Sequence, residues 1–133
     1  MTDTKTKILV VHSDRREIRE METKLQAQYL VVGVAEPERT LPMLQADRDI
    51  MAVAIATQKG LDVLGILEAC RRERPEVLRV LLTAFEDLSV VVEGLHSGLV
   101  QRVCSRPLMH AELLGAFRLP NPGATQGAQL SQN

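Results

Sequence analysis

Aromatic side chains are almost missing from this sequence of 133 residues, which contains one tyrosine, two phenylalanines and no tryptophan. Proteins that bind bases or sugars commonly stack them on aromatic rings, so this scarcity argues against such a platform. The hydrophobic fraction is nevertheless 45%. A core is therefore expected that consists of Val, Leu, Ile, Ala and Met, and the length suits one domain.

The sequence also has almost no net charge, no closely spaced cysteines and no long apolar run. The net charge of −1 gives no broad attraction to nucleic acid or to an anionic membrane. The densest basic stretch, 71–74, contains an acid and is expected to be a solvated helix end. Cys70 and Cys104 lie far apart without metal-ligand spacing, which predicts two buried, reduced thiols. No run approaches the roughly 18 residues that span a bilayer, and no signal peptide is recognisable, so a cytoplasmic protein is expected.

Five apolar runs alternate with five segments of helical periodicity. Strands are predicted at 5–11, 30–35, 49–57, 77–83 and 99–104, and helices at 15–28, 36–46, 61–73, 88–97 and 109–118. Apolar strands without in-and-out alternation are typical of a parallel sheet that helices cover on both faces. The predicted fold is therefore a three-layer α/β domain over residues 1–119. Segment 120–133 is rich in Gly, Pro, Gln and Ser, which predicts a disordered tail or linker.

The carboxyl ends of the strands are where such a sheet binds its ligands. After the predicted first, third, fourth and fifth strands the sequence carries, in turn, His12-Ser13-Asp14, the segment 54–59, Thr83 and Arg106. Consecutive residues that leave a strand point in different directions, so His12, Ser13 and Asp14 do not form a catalytic triad. Asp14 and Glu17 instead have the spacing of a capping box at a helix start. Because no carboxylates cluster at these ends, we expect a binding module and no enzyme.

Several stretches, in order, resemble the receiver domain of two-component response regulators. They are KILVV in the first strand, Asp49-Ile50 at the third, Gly60–Leu64, the segment 80–85 that includes Thr83, and Ser105-Arg106-Pro107-Leu108. The resemblance covers residues 5–118. It implies a CheY-like, doubly wound sheet with the strand order 2-1-3-4-5 and a role in two-component signalling.

The resemblance also implies a phosphorylation site from which this sequence departs. The two acids of the family are replaced by His12 and Ser13, with Asp14 one position late; its lysine is replaced by Arg106 and its switch aromatic by Val103, whereas its threonine is kept as Thr83. Five residues after Asp49, the phosphoacceptor position falls on Ala54, with Ala52 or Ala56 as alternatives. Phosphoryl transfer to a side chain needs a nucleophilic oxygen and a cation that neutralises the developing charge. We therefore expect a pseudo-receiver that binds no metal or cofactor and is not switched by aspartyl phosphorylation.

Three functions stay open at this point. The first is a module that binds a protein partner, or a second copy of itself, through the helix 4–strand 5–helix 5 face. Leu88, Val91, Val92 and Leu95 give that helix more apolar surface than one inward stripe needs, with Leu99 nearby, although its valines fit equally well in a core. The second is a sensor of a small anion or ligand in the vacated pocket near Ala54, with Thr83 and Arg106 as its anion-binding residues. The third is a conventional phosphorylatable receiver whose site the residue count misplaces.

Overall fold

A computed structural model describes residues 5–83, 88–105 and 110–118. Within these ranges, five strands alternate with five helices. The strands are β1 Thr6–Val11, β2 Tyr29–Val34, β3 Ile50–Ala56, β4 Leu78–Thr83 and β5 Arg102–Ser105. The helices are α1 Arg15–Leu25, α2 Thr40–Ala46, α3 Val63–Glu73, α4 Leu88–Ser97 and α5 His110–Ala116, and a 3₁₀ turn, Pro37–Arg39, precedes α2. The predicted alternation of strands and helices is confirmed.

The five strands form one parallel sheet in the order β2-β1-β3-β4-β5. This order confirms the doubly wound, CheY-like fold that the resemblance implied. Alternate residues of the central strands point to opposite faces. Ile8 and Val10 pack with α1 and α5 on one face, whereas Leu9 and Val11 pack with α2, α3 and α4 on the other. The result is the predicted three-layer arrangement.

Several elements begin or end elsewhere than the periodicity predicted. Asp62 accepts a hydrogen bond from the Gly65 amide at 3.1 Å, so α3 begins at Val63 and not at residue 61. β5 begins at Arg102, three residues later than predicted, because the Val100 amide still donates to the Gly94 carbonyl of α4 at 3.0 Å. The predicted loops 84–87 and 106–107 and the predicted tail 120–133 lie outside the described residues.

The basic stretch 71–74 is not a solvated helix end throughout, because Arg74 is 1% exposed. Its guanidinium donates to the carbonyl oxygens of Leu44 at 2.6 Å and Ile50 at 2.9 Å and also bonds the Glu76 carboxylate. Arg79 is buried in the same way, with its Nε on the Leu99 carbonyl at 2.9 Å. Both guanidinium groups therefore hydrogen-bond to backbone carbonyls of neighbouring segments, at the edge of the sheet where the strands begin.

Both cysteines are free and buried. Burial raises the pKa of the Cys70 thiol to about 11 and that of Cys104 to about 12. Neither thiol is therefore a nucleophile near neutral pH, because only the thiolate reacts readily. Within the ranges that the structure describes, no helix has the length and apolar character to cross a membrane.

Candidate functional site at the carboxyl ends of the strands

The ladder register determines which residues meet at the carboxyl edge of the sheet. Val11 of β1 lies beside Ile55 of β3, so the next residues, His12 and Ala56, are neighbours. Ala56 in turn lies beside Leu82 of β4, which Thr83 follows. The end of β4 meets the end of β5, where Thr83 pairs with Ser105. The edge therefore runs from His12 through Ala56 to Thr83.

Ala54 does not occupy the end of β3. It pairs with Val10 and Val80 inside the sheet, is completely buried, and lies two residues before the strand ends at Ala56. The count from Asp49 stopped short partly because the register shifts at Lys7 and Ile8, where β3 holds the additional residue Met51. Of the three alternatives that the sequence left open, Ala56 is the one at the strand end.

His12 fills the edge directly after β1 and is only 4% exposed. Its Nδ1 accepts a hydrogen bond from the Asp14 amide at 3.0 Å. Since that nitrogen must keep its lone pair, a proton on the ring is assigned to Nε2. Nε2 lies 2.9 Å from Oε1 of Glu17, an ion-pair distance without hydrogen-bond alignment. The contact is therefore best described as electrostatic.

The expected capping box at Asp14 and Glu17 forms only in part. Asp14 does cap α1, because its Oδ1 accepts from the Arg16 amide at 2.9 Å. Glu17 does not reach back to the Asp14 amide, since that amide already donates to His12. The Glu17 carboxylate turns toward the imidazole instead. Ser13 is exposed between them.

Two buried threonines and an amide complete the described part of the edge. Thr83 is 3% exposed at the end of β4. Thr57, which the sequence reasoning did not single out, is 8% exposed; its amide donates to the Leu82 carbonyl at 2.9 Å. The position of Thr57 directly after the apolar run of β3 is the sequence signal that could have identified it. Nε2 of Gln58 is buried with no hydrogen-bond partner among the described residues. Arg106 lies outside the described residues, so its pairing with Thr83 stays a prediction.

The outward face of α4 carries the second candidate surface. Leu88, Val92 and Leu95 are 63%, 63% and 48% exposed, and their spacing puts them on one side of the helix. We call these three residues the α4 stripe. Val91 is half-buried and packs into the core, and Leu99 is only 8% exposed. Of the predicted interface residues, Leu88, Val92 and Leu95 are exposed and Leu99 is buried; contact of this face with a partner stays a prediction.

Val103, at the position where the resemblance implies an aromatic switch residue, lies in β5 beside Leu81. It is half-buried and packs against the core cluster that α3 and α4 cover. A valine in that place has no ring that could rotate between a buried and an exposed position.

The fold is that of known receiver domains. A response regulator receiver domain from Clostridium thermocellum is 18% identical with a TM-score of 0.77, over 94% of this chain and 98% of that chain. The signal receiver domain of an HD domain-containing protein from Pseudomonas fluorescens Pf-5 is 26% identical with a TM-score of 0.75, over 86% and 93%. A structure named as an adenylate cyclase from Rhodopirellula baltica is 18% identical with a TM-score of 0.79, over 97% and 94%. No protein-family model and no curated protein matches this sequence.

Proposed function

We propose that this chain is a receiver-like module of two-component signalling, which acts in the cytoplasm by protein contact and without aspartyl phosphorylation. The observation that carries the proposal is Ala56 at the end of β3, beside His12, which follows β1, and next to Thr83 of β4. An alanine has no oxygen that could accept a phosphoryl group. The receiver fold of the structural neighbours supports the signalling role.

The described residues at this edge do not fit the magnesium ion that receiver domains use. Mg²⁺ prefers carboxylate and water oxygens in octahedral geometry. Asp14 already uses Oδ1 to cap α1, and the Glu17 carboxylate faces the imidazole. His12, buried after β1, offers a nitrogen and no hard anionic oxygen. The proposed function therefore involves no bound metal.

The α4 stripe supports protein contact as the output. Val90, Val91 and Gly94 already face the core, so the stripe contributes nothing to covering the sheet. Large apolar side chains exposed together on one helix face are typical of a helix-in-groove contact. We propose that a protein partner covers the stripe with an apolar groove. The homodimer expected through this face is the competing outcome.

Phosphorylation is tested with acetyl phosphate and magnesium, followed by intact-mass spectrometry. We expect no mass increase of one phosphoryl group in the wild-type chain. A receiver that keeps its acidic site, treated in parallel, is the positive control. A stoichiometric, acid-stable and base-labile phosphoprotein would overturn the proposal and favour a conventional receiver.

Protein contact is tested with a purified partner that has been identified by cross-linking. Val92→Glu puts a charge in the α4 stripe, whereas Ser89→Glu puts the same charge on an exposed position of the same helix. We expect Val92→Glu to weaken binding about tenfold or more and Ser89→Glu to leave it nearly unchanged. Equal affinity of all three chains would contradict a contact through the stripe.

A small-anion or small-ligand sensor is the second candidate, and the buried Nε2 of Gln58 is the observation that favours it. An N–H donor without an acceptor is costly, and a bound oxyanion would satisfy it. Phosphate, sulfate and acetate, titrated separately, should then raise the melting temperature by mass action. Gln58→Leu should abolish that rise if the amide is the ligand's donor. No rise with any of the anions would exclude this second candidate.

A further inference from the structure

β2 is an outer strand of the sheet, and its free side is unusually accessible. The sheet order gives β2 one neighbour, β1. Tyr29 to Gly33 are all partly or largely exposed, and Leu30 reaches 51%. In contrast, residues 8–11 of β1 are completely buried. The two helix layers that cover the centre of the sheet therefore leave this strand partly exposed, and Leu30 most of all.

Backbone groups point outward at every second residue of β2. The Val34 carbonyl accepts from the His12 amide at 3.1 Å and so faces β1. Since both backbone groups of a strand residue point to one side and alternate along the strand, those of Tyr29, Val31 and Gly33 face away from β1. Among the described residues, no hydrogen bond from another segment reaches them. They form a row of donors and acceptors that a further strand would satisfy.

β2 lacks the sequence features that usually prevent an edge strand from pairing with a strand of another chain. Its sequence, YLVVGV, has no charged residue and no proline along six residues. The other outer strand, β5, has only four residues and begins with Arg102. Natural proteins protect edges with short strands, charges and prolines. Here only one of the two edges has such protection.

We propose that β2 pairs antiparallel with β2 of a second copy of this chain, about a two-fold axis at Val31. In this register, Val31 lies opposite Val31 and Tyr29 opposite Gly33 of the second copy. All of these residues direct their backbone groups outward, so the three pairs exchange about six hydrogen bonds. The two five-stranded sheets then become one continuous sheet.

The side chains of β2 are complementary to themselves in this register. Leu30 lies opposite Val32 of the second copy on the same sheet face, which covers its exposed side chain. Tyr29 lies opposite Gly33, over which the Ile18 side chain of α1 already packs, so this pair contributes backbone hydrogen bonds. At each end the antiparallel arrangement brings the start of one strand to the end of the other.

This pairing does not depend on the proposed function, because it uses the edge strand β2, whereas the proposed partner contact uses the α4 stripe on a helix. It is tested by light scattering and sedimentation over a range of protein concentrations. Two leucines with nearly the same exposure, Leu30 at 51% and Leu95 at 48%, allow a matched pair of variants. We expect the wild type and Leu95→Lys to dimerise alike, and Leu30→Lys to dimerise about tenfold more weakly or worse. Circular dichroism checks that both variants fold.

Cross-linking identifies the edge directly. Leu30→Cys and Leu95→Cys are each treated with a short bismaleimide; the native Cys70 and Cys104 are buried and serve as an internal blank in the wild type. Covalent dimers are expected with Leu30→Cys alone. A wild type that stays monomeric at high micromolar concentration would overturn the proposal. So would a dimer that Leu95→Lys disrupts and Leu30→Lys does not, since that dimer uses the α4 stripe.

Discussion

The imidazole of His12 and the carboxylate of Glu17 approach within 2.9 Å across the turn that joins β1 to α1. The other ring nitrogen of His12 accepts the Asp14 amide at 3.0 Å. One buried side chain therefore contacts both the turn and the first turn of the helix. At this edge of the sheet, the buried histidine therefore holds the backbone of its own turn.

Replacing His12 by phenylalanine tests this role. Phe keeps a planar ring but loses the Nδ1 acceptor, which leaves the partly buried Asp14 amide without its partner. We expect a loss of about 1–3 kcal/mol in the free energy of unfolding, measured in urea. Ser13→Ala, at the exposed neighbouring position, should change it by less than about 0.5 kcal/mol. Equal stability of the two variants would show that the histidine does not hold the turn.

Replacement of the buried Arg74 is expected to lower the free energy of unfolding strongly. Arg74→Met keeps most of the side-chain length but leaves the carbonyls of Leu44 and Ile50 buried without their donor. We expect about 3–5 kcal/mol of destabilisation in chemical denaturation. Arg72→Met, two residues earlier and exposed, is the matched control and should be nearly neutral. A small effect of Arg74→Met would mean that water replaces the guanidinium at little cost.

The ion pair between Lys7 and Asp47 predicts a pH dependence of stability. The side-chain hydrogen bond from Lys7, with the Asp49 amide, lowers the pKa of Asp47 below its ordinary value of 3.8. A carboxyl whose pKa is lowered on folding stabilises the fold above its unfolded pKa, and this contribution disappears as the pH falls through the folded pKa. Asp47→Asn should therefore be less stable than the wild type at pH 7. The difference should shrink progressively below about pH 4.

Urea denaturation between pH 2 and pH 7 measures this difference. Glu68→Gln, which removes an exposed acid on α3, serves as the control and should follow the wild-type curve. An Asp47→Asn deficit that stays constant down to the acid end would contradict the pKa assignment, because the lost interaction would then not involve the charged carboxylate.

Gly94 determines how closely α4 packs. A Cβ at this position would lie 2.6 Å from Cγ2 of Val100 and 3.1 Å from Cδ2 of Leu64. Gly94→Ala should therefore destabilise the fold by about 1–3 kcal/mol, although alanine is the better helix former. At Gly115 of α5 no atom of the described residues lies within 4 Å of such a Cβ, so Gly115→Ala should stabilise by about 0.5–1 kcal/mol. Thermal unfolding of both variants distinguishes packing from helix propensity, and the same sign for both would contradict the packing argument.

The buried strands were predictable because each is a continuous apolar run, whereas their order followed only from the resemblance to receiver domains. The run from Ile8 to Val11 has no alternation, and only a strand covered on both faces explains it. α4 was also predicted with its observed bounds, despite three consecutive valines. There Gly98, with a φ of 81°, ends the helix in the left-handed region that favours glycine.

The parts that the sequence did not predict depend on contacts between distant residues. Counting along the chain from Asp49 places the phosphoacceptor position at Ala54. The strand in fact ends at Ala56, because its register against β1 is irregular. Arg74 looked solvated beside other basic residues, and only the carbonyls of α2 and β3 explain its burial. Charged residues are rarely buried without such partners, and these partners lie 24 and 30 positions away in the chain.

The sheet order β2-β1-β3-β4-β5 has a consequence for how strongly such a module holds its partners. The open edge of β2 and the α4 stripe lie toward opposite ends of the sheet, and neighbouring strands are about 4.8 Å apart. A dimer joined at β2 would therefore present two α4 stripes at its far ends, separated by several tens of ångströms. A partner that carries two matching grooves at that separation would be held by both, so its overall affinity would far exceed that of one contact.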